Sequence, residues 1–264
     1  MSEALFRRDG ELFVPEPCAA GPWHPEVLHG GAPVGLLARM VEQLERPPEL
    51  QLARLSVDLL RPVPRRALRA GASVLRQGRR MLVAEARLAH EGDTVARAQA
   101  LFLRAADIAV PADARPADAL LPPPAGKVKR GVPGAGHWTP LGLHTTVELC
   151  GVTGVAGRGR GAAWLRLPVA LVAGEPFSPA QRAAALSDFG NGLAQLSLDA
   201  DTGCINADVT LYLTRLPEGQ WLGLDAECAM ETTGIGCVST RLFDERGQVG
   251  RVMQAVVPSV ATQD

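Results

Sequence analysis

Lysine is almost missing from this 264-residue chain: of its 27 basic residues only Lys127 and Lys129 are lysines, and the rest are arginine. With 28 acidic residues against them the formal net charge is −1, so there is no net basic field to hold a nucleic acid. Cysteine is scarce and odd in number. Cys18, Cys150, Cys204, Cys228 and Cys237 never stand in a C-x-x-C pair, which argues against a disulfide framework or a zinc knuckle. The five histidines are scattered, so neither a metal nor a cofactor is expected. No run of about 18 uninterrupted apolar residues occurs, so no membrane-spanning helix is expected. The opening MSEALFRRDGELF lacks the apolar stretch of a secretion signal, and a cytoplasmic location is expected.

What is present is an ordinary apolar share, 47% of residues, enough for a substantial core. The segment from about Ala105 to Gly136 is rich in Pro, Gly and Ala without periodicity and reads as an exposed tether. On either side the same pattern runs twice. In the first half HGGAPVGLLARMVEQL places Val34, Leu37, Val41 and Leu44 on one helical stripe, and alternating segments follow over 52–64, 66–76, 81–90 and 94–104. In the second, Ser178-Pro179-Ala180-Gln181 is a capping box that opens a helix to about Leu196. Strand patterns follow over 205–217, 220–230, 236–245 and 249–257. An offset of 154 pairs Arg61 with Arg215 and Val57 with Leu211. An offset of 155 pairs Gly92, Gln99 and Ala100 with Gly247, Gln254 and Ala255. The chain therefore reads as an α+β protein made of one helix-plus-antiparallel-sheet unit, duplicated. The first unit spans residues 1–105, the tether 106–136 and the second unit 137–264.

The runs AALSDFGNGL (184–193), INADVTLYLTRLP (205–217) and GCVSTRLFDERGQVGRVMQAVV (236–257) resemble the acyl-CoA thioesterase II family, as does the first helix. That resemblance implies a double hotdog fold, acyl-CoA as the substrate, and a homodimer or higher homo-oligomer. It also implies a catalytic acid at Asp188, a water-holding polar residue at Asn206 and a glutamine at Gln254. At position 206 the family carries a hydroxyl residue, so asparagine is a departure, although its amide can still hold a water.

The residues bear separate inspection. Asp188 lies among Ala185, Leu186 and Phe189, where desolvation is expected to raise its pKa. It would accept a proton from water or attack the thioester directly. Asn206 shares its strand parity with Asp208 and Thr210, away from Val209 and Leu211, and so faces a polar cleft or solvent. Gln254 is an amide within an apolar strand, where it needs partners. His24 and His29 flank a Trp- and Pro-containing loop and read as packing or capping residues. GRGRG (157–161) reads as a hairpin turn. Arg61, Arg65, Arg66, Arg69 and the other arginines of that region read as solvated faces, although they could also meet the phosphates of coenzyme A. No G-x-S-x-G elbow exists, which sets aside an α/β-hydrolase. Two other readings remain: a non-catalytic acyl-thioester binding module, left open by Asn206, and an enoyl-thioester hydratase or dehydratase. The latter is disfavoured because the second helix has no histidine beside Asp188.

Overall fold

In the computed structural model residues 4–111, 113, 124, 126–132, 141–155, 157–199 and 202–260 are described. The chain opens with a hairpin of β1 (Ala4–Asp9) and β2 (Leu12–Pro15), turned at Gly10 with φ 58°. Helix α1 (Gly31–Glu42) and strands β3 (Leu50–Leu59), β4 (Leu68–Gln77), β5 (Met81–His90) and β6 (Asp93–Arg104) complete the first half. The second half runs through β7 (Lys129–Arg130), α2 (Leu143–Thr146), β8 (Glu148–Val155), β9 (Arg160–Arg166) and β10 (Ala170–Val172). Helices α3 (Pro179–Ser187) and α4 (Phe189–Leu193) follow, and then β11 (Thr202–Asn206), β12 (Asp208–Leu213), β13 (Leu222–Met230), β14 (Gly236–Asp244) and β15 (Gly247–Val260).

The strands form one sheet, ordered β10-β1-β2-β4-β5-β6-β3-β12-β15-β14-β13-β9-β8-β7, with β11 also on β15. Among the described residues its pairings are antiparallel except β1 on β10, where Ala4 meets Ala170 and Phe6 meets Val172. The two halves join at β1–β10 and at β3–β12, where Ser56 pairs with Thr210 and Leu55 with Leu211. Ser56 and Thr210 are 154 residues apart, so each lies opposite its own counterpart, as an isologous contact requires.

An offset of 154 relates β3–β6 to β11–β15 over most of their length. Ala72 pairs with Ala86 as Ala226 pairs with Thr240, and Ser56 pairs with Gln99 as Thr210 pairs with Met253. The offset of 155 is therefore corrected: the counterpart of Gln254 is Ala100, not Gln99. Gln99 points outward and accepts from Arg54 at 2.9 Å.

Helix α1 ends at Glu42, short of half-buried Leu44; Val34, Leu37 and Val41 of the expected stripe are buried, but so is Leu36 on another face. The helix is covered on one side by β4–β6 and on another by α3, so it is apolar nearly all round. Each fully buried Leu or Val contributes about 1.5–3 kcal/mol. The two helices approach closely at Gly31 and Gly35. A Cβ on Gly31 would collide with the Ala185 carbonyl oxygen, and one on Gly35 would lie 3.0 Å from the Ala185 Cβ. One apolar cluster runs from Leu5 and Phe13 through α1 and α3 to Leu211 and Val252, and so includes both halves.

The expected capping works at Ser178, whose Oγ accepts from Gln181 N–H at 3.1 Å. The expected single helix does not form, because it breaks at Asp188. Of the expected tether, 106–111 is exposed; apart from 113 and 124, residues 112–125 and 133–136 lie outside the described residues. Its far end is tied down, since Lys129–Arg130 pairs with Glu148 and Leu149 and Val132 N–H donates to the His144 carbonyl. The GRGRG run forms the expected turn between β8 and β9, with Gly157 and Gly159 at positive φ.

Because the halves share a sheet and a core, trypsin cleavage after Lys127 or Arg130 is expected to leave the pieces co-eluting on gel filtration without denaturant. Separate elution would show that the β3–β12 and α1–α3 contacts do not hold the halves together.

Candidate active site

The break between α3 and α4 places Asp188 where three elements meet. Ser187 Oγ turns back onto the Ala184 carbonyl at 2.6 Å. Gln254, fully buried on β15, inserts its amide into the break. Its Oε1 accepts from Asn191 N–H at 3.1 Å, and its Nε2 lies 3.5 Å from the Asp188 carbonyl. A side chain that enters the helical ladder in this way interrupts it. Gln254 thus contacts the main chain of residue 188 and not its carboxylate.

The Asp188 carboxylate is 6% exposed and points across the interface at the start of α1. His29 Nδ1 lies 2.9 Å from Oδ2, and Asn206 Nδ2 donates to Oδ1 at 2.9 Å. His29 Nδ1 is also 3.1 Å from the Gly31 amide nitrogen. One ring nitrogen cannot both accept from Gly31 and donate to Asp188. With the proton on Nδ1 the histidine serves Asp188, and the Gly31 N–H turns to the same carboxylate. That arrangement leaves Nε2 as the basic nitrogen. The ring is fixed from its other side by Phe189, stacked with centroids 4.6 Å apart. The approach requires glycine at position 30, because a Cβ there would sit 2.7 Å from Oδ1 and 2.8 Å from Oδ2.

The expectation of a raised Asp188 pKa is corrected. Burial does push it up. The His29 hydrogen bond and charge, the Asn206 amide and the Gly31 N–H together outweigh burial and hold the carboxyl below the ordinary aspartate range. The N-terminus of α1 also favours a negative charge there.

Asn206 reaches the site by a shift in register. Asn206 pairs with Val256, whereas Thr210 pairs with Met253, so Ala207 is one residue extra in the first strand. A bulge of this kind re-aims side chains. It breaks the parity read from the sequence: Cys204 is buried, Ile205 is exposed, and half-buried Asn206 turns toward Asp188. Its amide hydrogens go to Asp188 and, at 3.4 Å, to the Asp208 carbonyl.

The structure thus brings Asp188 and Asn206 into direct contact and sets Gln254 behind them. It adds His29, which the sequence reading left as a packing residue. The signal for it was the Gly-Gly pair following His29 at a helix start, where small residues admit an anion. Counterparts of the polar set in the first half are apolar: Val34 for Asp188, Leu52 for Asn206 and Ala100 for Gln254. Among the described residues no cluster of three or more His, Cys, Asp or Glu side chains is placed to hold a metal ion, and no helix is long and apolar enough to cross a membrane.

Comparison with known proteins follows this geometry. A family model described as the acyl-CoA thioesterase C-terminal domain matches residues 111–257, and one described as the acyl-CoA thioesterase N-terminal domain matches residues 19–103. No match was found among curated proteins. An acyl-CoA thioesterase II, TesB2, from Mycobacterium marinum is 18% identical with a TM-score of 0.63, covering 89% of this chain and 91% of its own. A conserved protein of unknown function with hot dog fold from Alicyclobacillus acidocaldarius is 16% identical with a TM-score of 0.70, covering 97% and 96%. A tesB protein from Mycobacterium avium subs paratuberculosis is 15% identical with a TM-score of 0.60, covering 96% and 95%. At these identities the likeness shows the hotdog fold.

Since the folded Asp188 pKa is depressed, its ionised form stabilises the fold above about pH 5, and that contribution is lost as pH falls through the folded value. The Asp188→Asn protein lacks it. The gap in urea midpoint between wild type and this variant should shrink as pH falls from 7 to below 4. A gap that widens toward acid would contradict the depressed pKa.

Proposed function

Because the chain belongs to the acyl-CoA thioesterase family, we propose that it hydrolyses acyl-CoA thioesters at the His29–Asp188–Asn206 site. The observation that carries this reading is the buried Asp188 carboxylate, hydrogen-bonded to His29 from the other half of the chain. We also read the chain as two fused hotdog units, residues 1–105 and 137–264, which supports a site built between them.

A carboxylate with a depressed pKa is a weak base, so its best use is to orient and stabilise a better one. Asp188 holds the Nδ1–H tautomer of His29 and stabilises the imidazolium that forms when Nε2 takes a proton. In this scheme a water accepted by Asn206 Oδ1 gives its proton to Nε2 as its oxygen attacks the thioester carbonyl. The C–S bond then breaks, the thiolate takes the proton back, and free acid and coenzyme A leave. Gln254 is a positioning residue that keeps the helix broken at Asp188.

The test is release of free thiol from a panel of acyl-CoAs. Asp188→Asn should lose about 10⁴-fold in kcat, the scale of losing an orienting carboxylate. Gln254→Ala should lose less, about 10²-fold. Asn206→Thr should keep measurable turnover and Asn206→Leu should not. A folded Asp188→Asn protein with wild-type turnover would remove the reading.

The Asp188–His29 contact also favours a second reading, because it supplies the acid–histidine pair that an enoyl-thioester hydratase needs. The same panel separates them. A change in enoyl absorbance without thiol release would mark a hydratase, and saturable binding with neither would mark a binding module.

A further inference from the structure

The connection from β3 to β4 runs along both sides of the site. Its sequence from Leu59 to Arg66 is LLRPVPRR. At one end Leu59 N–H donates to the Ala207 carbonyl at 3.0 Å, one residue from Asn206. At the other Leu28 N–H donates to the Val63 carbonyl at 2.9 Å and Arg65 N–H to the Glu26 carbonyl at 2.6 Å, so this end lies beside His29. Val63 is buried and anchors the strap, while Pro62 and Pro64 fix its φ angles. The result is a stiff rim joining the Asn206 side of the site to the His29 side.

The strap contains no acid and three arginines. Arg65 Nε donates to the Pro25 carbonyl at 2.7 Å and its Nη2 to Glu26 Oε1 at 2.8 Å. Arg66 Nη2 lies 2.7 Å from the other oxygen of the same carboxylate, and Arg61 Nη1 donates to Asp93 at 2.8 Å. Three guanidiniums thus share two carboxylates and leave one positive charge in excess. The side chains of Arg61 and Arg66 are 56% and 63% exposed, and each has further N–H donors besides the one in its ion pair. In a chain of net charge −1 this excess is local, not part of a general basic surface.

We propose that Arg61, Arg65 and Arg66 form the subsite for the phosphate groups of coenzyme A, a proposal that rests on the acyl-CoA reading of the site. A guanidinium presents a planar fork that matches phosphate oxygens two at a time. Position 66 is three residues beyond Val63, about 10 Å of extended chain. The pantetheine arm that separates the thioester from the diphosphate is longer than that. With the thioester carbonyl at His29 and Asn206, the phosphates therefore reach the strap. Glu26 holds Arg65 and Arg66 side by side before the ligand arrives, so little side-chain freedom is lost on binding.

The experiment compares an acyl-CoA with the acyl-pantetheine thioester of the same acyl group, which lacks the phosphates. The variants are Arg66→Ala and the double variant Arg61→Ala/Arg66→Ala. Each removed guanidinium is expected to raise KM for acyl-CoA about tenfold while kcat holds, and to leave kcat/KM for acyl-pantetheine as in wild type. Added salt should narrow the wild-type preference for acyl-CoA. Equal losses on both substrates, or no loss on acyl-CoA, would overturn the subsite. Calorimetry with free coenzyme A separates this from failure of the hydrolase reading. If no thioester is hydrolysed, coenzyme A binding that the double variant loses still supports the subsite, and no binding to wild type overturns it.

Discussion

A carboxylate taken out of water must be paired or it will not stay charged, and Asp188 is the residue on which this constraint falls. Its partners are not local. His29 and the Gly31 N–H come from the start of α1, in the other half of the chain, and Asn206 comes from a bulged strand. For them to meet, α1 and α3 must cross closely, which Gly31 and Gly35 allow, and Gly30 must leave room for the carboxylate. The interface between the halves is therefore part of the site. Any change that separates the helices leaves a buried charge without its partners, so packing and chemistry are coupled at this crossing.

The internal offset of 154 shows how one scaffold divides the work. Beneath the first-half helix the positions are Val34, Leu37, Ala86 and Ala100; at the matching places in the second half stand Asp188, Asn191, Thr240 and Gln254. The first set packs as an ordinary apolar layer. The second is buried and polar, and it breaks the helix above it. Two of its atoms, Thr240 Oγ1 and Asn191 Oδ1, have no hydrogen-bond partner among the described residues.

Periodicity made the helices and strands legible, because helical stripes and alternation are local signals. The capping at Ser178 and the need of Gln254 for partners were legible for the same reason. What escaped depends on contacts remote in sequence. The Gly-Gly pair after His29 signals room for an anion, but nothing local shows which carboxylate will approach. The register of Gln99 was misread because matching Gln-Ala pairs suggested an offset that the strand pairing rejects. The sign of the Asp188 shift was misread because its apolar neighbours are visible along the chain while its three donors are not. The bulge at Ala207 inverted the parity on which the orientation of Asn206 was judged.

Whether His29 and Asp188 act as one unit across the two halves is read from a double-mutant cycle. The rates of acyl-CoA hydrolysis by His29→Gln, Asp188→Asn and the double variant, each shown to be folded, are compared with wild type. If the two residues act together, the double variant loses no more than the more damaging single change. Losses that simply multiply would show two independent contributions and no coupled pair.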